Sequence, residues 1–551
     1  MKLFRTPLLL ALAAVATCLA PAASWAQDIK PVAVVSIASI EEILADIGYL
    51  TVTAGMEDAG KTARLFGSAL TAGLDKKRPL GMYVVPKDGD FHAVAFLPVS
   101  DLKQLLEIHK EYIGEPRDAG NGVLEIGMGK SAFIKEQKGW AFVAESAEHL
   151  TGLPQDPAAL LADLPKQYNI AAKVLVQNIP QELKQTALDE IKFGLERALD
   201  AQAEGGAEVD KESVEQAAKS SLAGIEQILN DGDEFVVGWA VDAAGKKTHL
   251  DILITAKEGT DLARQMALNA EAKSSFTGML LPEASVTMNF SAKLSESDIA
   301  QMQSAFKTLR DQSAKKIAED PNLTPEQQKV ASELVGKLLT VFEDTAKTGK
   351  LDGGAALILA PKSLSMVGGG YVADGAAFEQ SLKELVDLAK NEPNFPEVKL
   401  NAGTHGNVKL HKVAIPIPAK EEEARDILGD KLEIVIGTGP KAVYVSAGKN
   451  AEALLKKVID QSAQAADKAV PTMQLNVSVL PILKFFASVD ENPMLPGLIA
   501  SLEKSGNDKV VVSSQGGQRS STVRIEIQEG LIRLIGEPLK QALGGQGPGA
   551  P

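Results

Sequence analysis

The residues best spaced for covalent chemistry are a serine three positions ahead of a lysine and a Lys-Thr-Gly triplet further along. Ser100-Asp101-Leu102-Lys103 and Lys347-Thr348-Gly349 stand in the order S-x-x-K, K-T-G. In acyl transfer of that type the serine attacks a carbonyl while the lysine, one helical turn away, takes part in moving the proton. Three departures weigh against it. S-x-x-K recurs at Ser304–Lys307 and Ser501–Lys504, so the spacing is common in this chain. The Lys-Thr-Gly triplet belongs on a strand, whereas here it ends a helical pattern that Gly349 terminates. No S-x-N triplet lies between the two motifs. Ser100 reads as a helix cap, and no residue is assigned a catalytic role.

The other chemically capable residues scatter. His405 and His411, six apart in a strand-like run, could share a face, but no third ligand stands at metal-site spacing. His92, His109, His149 and His249 are isolated. Asp88-Gly89-Asp90 and Asp231-Gly232-Asp233 lack the spaced oxygens and closing Glu of a calcium loop and read as turns. Gly368-Gly369-Gly370 lies inside a strand pattern with no phosphate-binding helix after it. A bulge or a close backbone approach is the expected reason for it. No metal site and no cofactor site is expected.

The elements that would position such residues fall into a repeating order. DEFVVGWAVDAAGKKTHLDILITAKEG, Asp233 to Gly259, reads as a hairpin followed by a helix, TDLARQMALNAEA. The same phrase, preceded by a strand and helices, starts at PVAVVSIASI, where Asp-Gly at 88–89 marks the hairpin turn. It starts again at AAKVLVQNI, ASVTMNFSA and TMQLNVSVL. A smaller unit of short strands ending in a helix start separates the large ones. It contains GWAFVAESAEHL, with Ser146 as the cap, and returns as KAVYVSAGKNAEALL. Leu188, Ile191, Leu195 and Leu199 make one apolar helical stripe, and Ile299, Met302, Phe306 and Leu309 make another. Thr324-Pro325-Glu326-Gln327 has the hydroxyl, proline and side-chain acceptor of a capping box.

The expected fold class is α+β: tandem strand–helix–helix–hairpin–helix modules with antiparallel sheets, in two pseudo-equivalent halves. The expected boundaries are a first half at 27–279, with modules at about 31–113, 121–152 and 171–272. The second half, 280–543, has modules at about 284–391, 406–460 and 472–543, and 544–551 is a flexible tail.

Composition limits the function. Lys2 and Arg5, an apolar run from Pro7 to Ala20 and Ser24-Trp25-Ala26 describe a secretory signal peptide cleaved near Ala26. The single cysteine, Cys18, falls inside it, and Thr17 is bulky where a lipoprotein signal has a small residue. Without Lys2 and Arg5 the chain has 55 basic against 72 acidic groups, a formal charge of −17. Such a chain repels phosphate backbones and anionic lipid heads, which excludes nucleic acid as a partner. Aromatic content of 5% leaves few stacking faces for carbohydrate. No second apolar run reaches spanning length, so no integral membrane segment is expected in the mature chain.

From DIKPVAVVSIASIEEIL and recurrent phrases such as GWAFVAESAEHL, the chain resembles large exported bacterial proteins of unknown function. They are built of tandem strand–helix–hairpin units. The resemblance covers most of the mature chain; it implies an envelope location and carries over no catalytic residue. The expectation is an exported, non-enzymatic repeat protein, periplasmic or extracellular, serving as a structural or protein-interaction module. The alternative is a carrier of a lipid or other apolar ligand in a groove between helices and sheet. A serine acyl-transfer enzyme comes a distant third. Packing of the long helical pairs, around Leu188, Ile191, Ile299 and Phe306, is what separates the first two.

Overall fold

A computed structural model describes residues 30–87, 89–127, 131–204, 211–321, 323–390, 395–464 and 468–544. The expected signal peptide lies outside the described residues, as do Asp88 of the first acidic turn and residues 545–551 of the tail. The fold is mixed helix and antiparallel sheet, 44% and 33% of the described residues. Two compact units form, one from residues up to 263 together with those from 535 onward, the other from residues 264–534.

In the first unit β1 (Ala33–Ile37) leads into a helical pair, α1 (Ile40–Thr53) and α2 (Glu57–Leu70). The hairpin β2 (Leu80–Lys87) and β3 (Asp90–Pro98) and helix α3 (Leu102–Ile113) follow. Next comes a meander of β4 (Arg117–Gly120), β5 (Val123–Ile126), β6 (Ala132–Gln137) and β7 (Trp140–Ala144). Helical turns at Ala147–Leu150 and Pro157–Leu161, and α4 (Leu164–Gln167), lead to β8 (Ile170–Leu175). A long pair, α5 (Gln181–Glu204) and α6 (Lys211–Asp231), precedes the hairpin β9 (Gly232–Asp242) and β10 (Lys247–Ala256), then α7 (Asp261–Leu268). All pairings are antiparallel, in the order β4-β5-β6-β7-β3-β2-β1-β8-β9-β10. Small residues let the first helical pair close up. A Cβ on Gly60 would lie 2.1 Å from Thr51 Oγ1, and one on Gly67 would lie 2.6 Å from Leu44 Cδ2.

The second unit has β11 (Val286–Lys293), the pair α8 (Glu296–Ala318) and α9 (Pro325–Lys347), the hairpin β12 (Lys350–Ala360) and β13 (Ser363–Tyr371), and α10 (Gly375–Ala389). Its meander comprises β14 (Glu397–His405), β15 (Val408–Pro416), α11 (Glu422–Leu428), β16 (Lys431–Gly439) and β17 (Ala442–Gly448), closed by α12 (Ala451–Gln464). β18 (Met473–Ser478), the pair α13 (Val479–Val489) and α14 (Leu495–Ser505), the hairpin β19 (Lys509–Gly516) and β20 (Ser520–Gln528), and α15 (Glu529–Gly544) follow, the residues of α15 from 535 onward being grouped with the first unit. The antiparallel order is β14-β15-β16-β17-β13-β12-β11-β18-β19-β20. Thr324 and Gln327 form the expected capping box at α9, each side chain taking the other's backbone N–H.

The first unit packs core on both faces of its sheet, with Trp140 and Phe142 of β7 in one cluster and Ala141 between them in another, whereas the second unit's core lies on one face. In the first unit Phe96, Trp140, Phe142, Leu150 and Leu161 are fully enclosed. Phe96 meets the Trp140 edge at 5.6 Å, and the Arg78 guanidinium lies 3.9 Å over the indole. A second cluster joins Leu102, Leu105 and Leu106 of α3 to Ile134 and Ala141. In the second unit Phe276, Met279, Leu410 and Tyr444 pack under Leu455 and Val458 of α12. None of these clusters contains a residue of α1, α2, α5, α6, α8, α9, α13 or α14. Outside these clusters the pairs bury Leu188, Leu334, Leu339, Val341, Phe485, Leu495 and Leu502, so they cover part of their own surface and leave part open. Leu188 is buried but Ile191 is 39% exposed, and no residue of α8 is buried. Within a pair the helices are tied to each other, by Arg310–Glu343 (3.0 Å) and by Lys184 Nζ donating to Leu229 O (2.8 Å).

Candidate functional site

The serine–lysine pair opens α3 on the surface. Asp101 caps that helix, its Oδ1 accepting from Gln104 N at 3.0 Å, so the cap is one residue beyond the Ser100 expected for it. A carboxylate is the better cap here because the helix N-terminus favours negative charge. Ser100 and Lys103 are both exposed. Acyl transfer relies on a shielded, preorganised site, which neither has. Lys347 to Gly349 belong to the second unit, where Thr348 and Gly349 (φ 67°) end α9. A hydrogen bond from Lys347 to Asp344 holds its ammonium above its ordinary pKa, the reverse of what a base needs.

The histidines separate as well. His405 ends β14 and His411 lies in β15, so they sit on opposite arms of a hairpin. His405 pairs with Asp460 at 2.7 Å. His411 is fully buried; its Nδ1 accepts from Asn401 N and its Nε2 meets Thr438 Oγ1 at 3.0 Å. An accepting Nδ1 makes Nε2 the donor to Thr438, the neutral tautomer. Burial pushes its pKa down. His92 and His149 stack with centroids 4.1 Å apart, and burial with the neighbouring His92 lowers the pKa of His149. Among the described residues no three His, Cys, Asp or Glu side chains are grouped to hold a metal ion. Asp231-Gly232 is not a turn: α6 ends at Asp231 and β9 begins at Gly232, where a Cβ would lie 2.3 Å from Ile228 O.

The buried Lys184 is explained by the end of α6. It donates to Leu229 O, and Lys257 donates to Asn230 O at 3.0 Å, so two cations sit on the negative end of that helix. Burial lowers the pKa of Lys184. In the second unit Asp352 accepts from Ser274 Oγ (2.6 Å) and Ser275 N (3.0 Å), while Asn289 Nδ2 donates to Ser274 Oγ and Gly353 O. This polar network fixes residues 274–276 to the sheet.

That network exposes what sequence reasoning missed. In β11 the polar residues Thr287, Asn289 and Ser291 are buried, whereas Val286 and Phe290 are only partly buried and Met288 is 37% exposed. The sheet hides its mixed face and leaves its apolar face partly covered, most open at Met288, Met366 and Val445. Register carries that face across six strands, through Val512, Leu475, Met288, Ala355, Gly368 and Val445. None of these six residues is buried, and Val445 and the neighbouring Met366 are 42% and 45% exposed. At the usual strand spacing the row is about 24 Å long. The Gly368–Gly370 run forms no bulge. Gly369 gives the Tyr444 ring its place (2.5 Å from a notional Cβ), but a Cβ on Gly368 or Gly370 would meet nothing closer than 3.6 or 3.5 Å.

The first unit repeats the arrangement. Val34, Tyr83, Val94 and Val236 face the core, and the alternate row Ile252, Val237, Ala172, Val35, Met82 and Ala95 is left half-open except at Ala95. Two open apolar faces are the feature of this molecule that asks for a partner. No protein-family model, curated protein or solved structure matches the chain. The functional reading therefore rests on these faces and on the helical pairs beside them. No helix among the described residues is long and apolar enough to cross a membrane.

Proposed function

We propose that this is an exported, non-enzymatic repeat protein that carries an apolar chain, such as the acyl chain of a lipid, on the open faces of its sheets. The observation that carries the reading is the row from Val512 to Val445, an apolar floor whose opposite side holds the buried polar residues. Exposed apolar surface of that extent is rarely left unused. The occupant is argued from chemistry. The floor's strands are interior ones, already paired on both sides, so an extended peptide laid on them would find no backbone partners. An acyl chain needs none, and the row is longer than the roughly 15 Å of one bilayer leaflet's hydrocarbon.

Duplication accounts for there being two such faces. Adding ten to each strand number of the first unit's order gives the second unit's order, and each order sets two adjoining strand–helical pair–hairpin modules beside a four-stranded meander at one edge. We take the two units as copies of one ancestral half, with an envelope location as the setting.

Mass spectrometry of the intact protein under native conditions, purified from its host, tests the reading. A bound species of lipid mass, displaced by a fluorescent fatty acid and lost in Met288→Glu, is expected. A chain of bare polypeptide mass that takes up no fatty acid would refute it.

A second reading, a protein-docking module, is favoured by the helical pairs. Leu65 and Phe66 of α2, Phe193 of α5, Phe342 of α9 and Phe486 of α13 are 40% or more exposed, one or more on every pair. Self-association or a retained protein partner in the same spectra would favour it over the carrier.

A further inference from the structure

The start of α1, the end of α2 and the loop after it flank an open surface cleft of ≈ 290 Å³ lined by Glu41, Leu44, Ala45, Arg64, Ser68 and Lys76. Its volume suits a small polar group, not a whole lipid. Arg64 reaches it because residue 48 is glycine; a Cβ there would stand 3.1 Å from Arg64 Cδ. Lys76 is held at the rim, its Nζ donating to Ser68 O and Ser68 Oγ at 2.9 Å each. Neither Arg64 nor Glu41 takes part in any side-chain ion pair described within this unit. Of the nearby charges, Lys61 pairs with Asp58 and Asp46 accepts from Asn169, while Glu42 adds a second exposed carboxylate beside Glu41. The cleft thus offers two cations and one carboxylate with an apolar wall at Leu44.

Beside it the surface is apolar. Leu65 follows Arg64 and lies three residues before Ser68, on the adjoining helix face. Leu65 is 71% exposed, Phe66 60%, and Leu70, one turn on, 45%. A guanidinium matches a phosphate bidentately, and a carboxylate is the natural acceptor for a primary ammonium. The chain's formal charge of −15 disfavours an anionic membrane surface, whereas a headgroup carrying both charges is neutral overall.

We infer that this cleft takes the phosphate–ammonium headgroup of a phosphoethanolamine lipid at a membrane surface. The phosphate lies between Arg64 and Lys76, the ammonium against Glu41, and Leu65 and Phe66 enter the bilayer interface beside it. The cleft shares no residue with the open sheet faces, so it stands or falls apart from the carrier reading.

Flotation of the full chain with vesicles tests it. Three compositions are compared: phosphatidylcholine alone, with added phosphatidylethanolamine, and with added phosphatidylglycerol. The protein should float with the ethanolamine vesicles in preference to both others. Arg64→Gln should weaken that by about tenfold, the loss of one charge-assisted hydrogen bond. Leu65→Ser with Phe66→Ser should abolish flotation while thermal melts stay unchanged. Glu41→Gln should erase the preference for ethanolamine over glycerol headgroups. No flotation, equal flotation with all three, or a preference indifferent to Arg64→Gln would each overturn the assignment. Binding of soluble phosphoethanolamine without flotation would overturn the membrane source. Retained cargo in native spectra of an Arg64→Gln protein that no longer floats supports a headgroup site separate from the carrier faces.

Discussion

Asp46 shows how one side chain on a helical pair sets the protein's response to pH. Burial, reinforced by Glu42 one turn earlier, raises its pKa from 3.8 to about 6, against the pull of the Asn169 hydrogen bond. Folded Asp46 keeps its proton where the unfolded chain has lost it, so stability falls as pH rises from about 4 to 6. Asp46→Asn should flatten that slope and add about 1 kcal/mol at pH 7, the value being discounted for partial exposure. Urea melts at pH 4.5 and 7 measure both; an unchanged slope would show that Asp46 is not its source. His411 works in the opposite sense. Its folded pKa is depressed by burial, so stability is lost as pH falls below the ordinary 6.5 and the unfolded imidazole charges. His411→Phe overfills a closed site and orphans Asn401 N and Thr438 Oγ1, and should cost at least about 2 kcal/mol in the same melts.

At the scale of elements the sheet is the informative object, because period two tells which residues share a face but not which face is covered. Val367 and Val445 are both valines on neighbouring strands, 1% and 42% exposed on opposite faces. Val445→Glu should shift the melting temperature little, since surface changes stay near 0.5 kcal/mol, yet should end uptake of a fatty acid. Val367→Glu buries a carboxylate without a partner and should leave little folded protein. Equal loss of stability in the two would mean that the apolar face is core. Hairpins, the Thr324 capping box and the Ser146 cap were legible because turn and cap residues act locally. β14 and β4 were not, since EVKLNAGTH is mostly exposed and RDAG wholly so, and neither carries an apolar rhythm. The open face was missed for a related reason. In VTMNFSA the apolar residues ought to point inward, and only the Ser274–Asp352–Asn289 network, assembled from distant segments, explains why the polar ones do.

Over the whole molecule the decisive point is that each unit encloses its own core. Phe142 is fully buried among first-unit side chains, and Leu455 among those of the second. With the helical pairs outside these clusters, each unit's core depends on its meander and on the helix packed against it, α3 in the first unit and α12 in the second. Truncating the aromatic and leucine side chains there should carry the core penalty, about 3–5 kcal/mol for Phe→Ala and about 2–5 kcal/mol for Leu→Ala. Units with separate cores unfold in separable steps unless their interface couples them strongly. Calorimetry should therefore resolve two transitions. Phe142→Ala should lower one and leave the other in place, and Leu455→Ala should do the converse. A fatty acid held on the second unit's face should raise only the transition that Leu455→Ala lowers, because a ligand stabilises the unit that binds it. A single transition shifted equally by both substitutions would mean that the chain folds as one cooperative body and that its two open faces cannot be loaded independently.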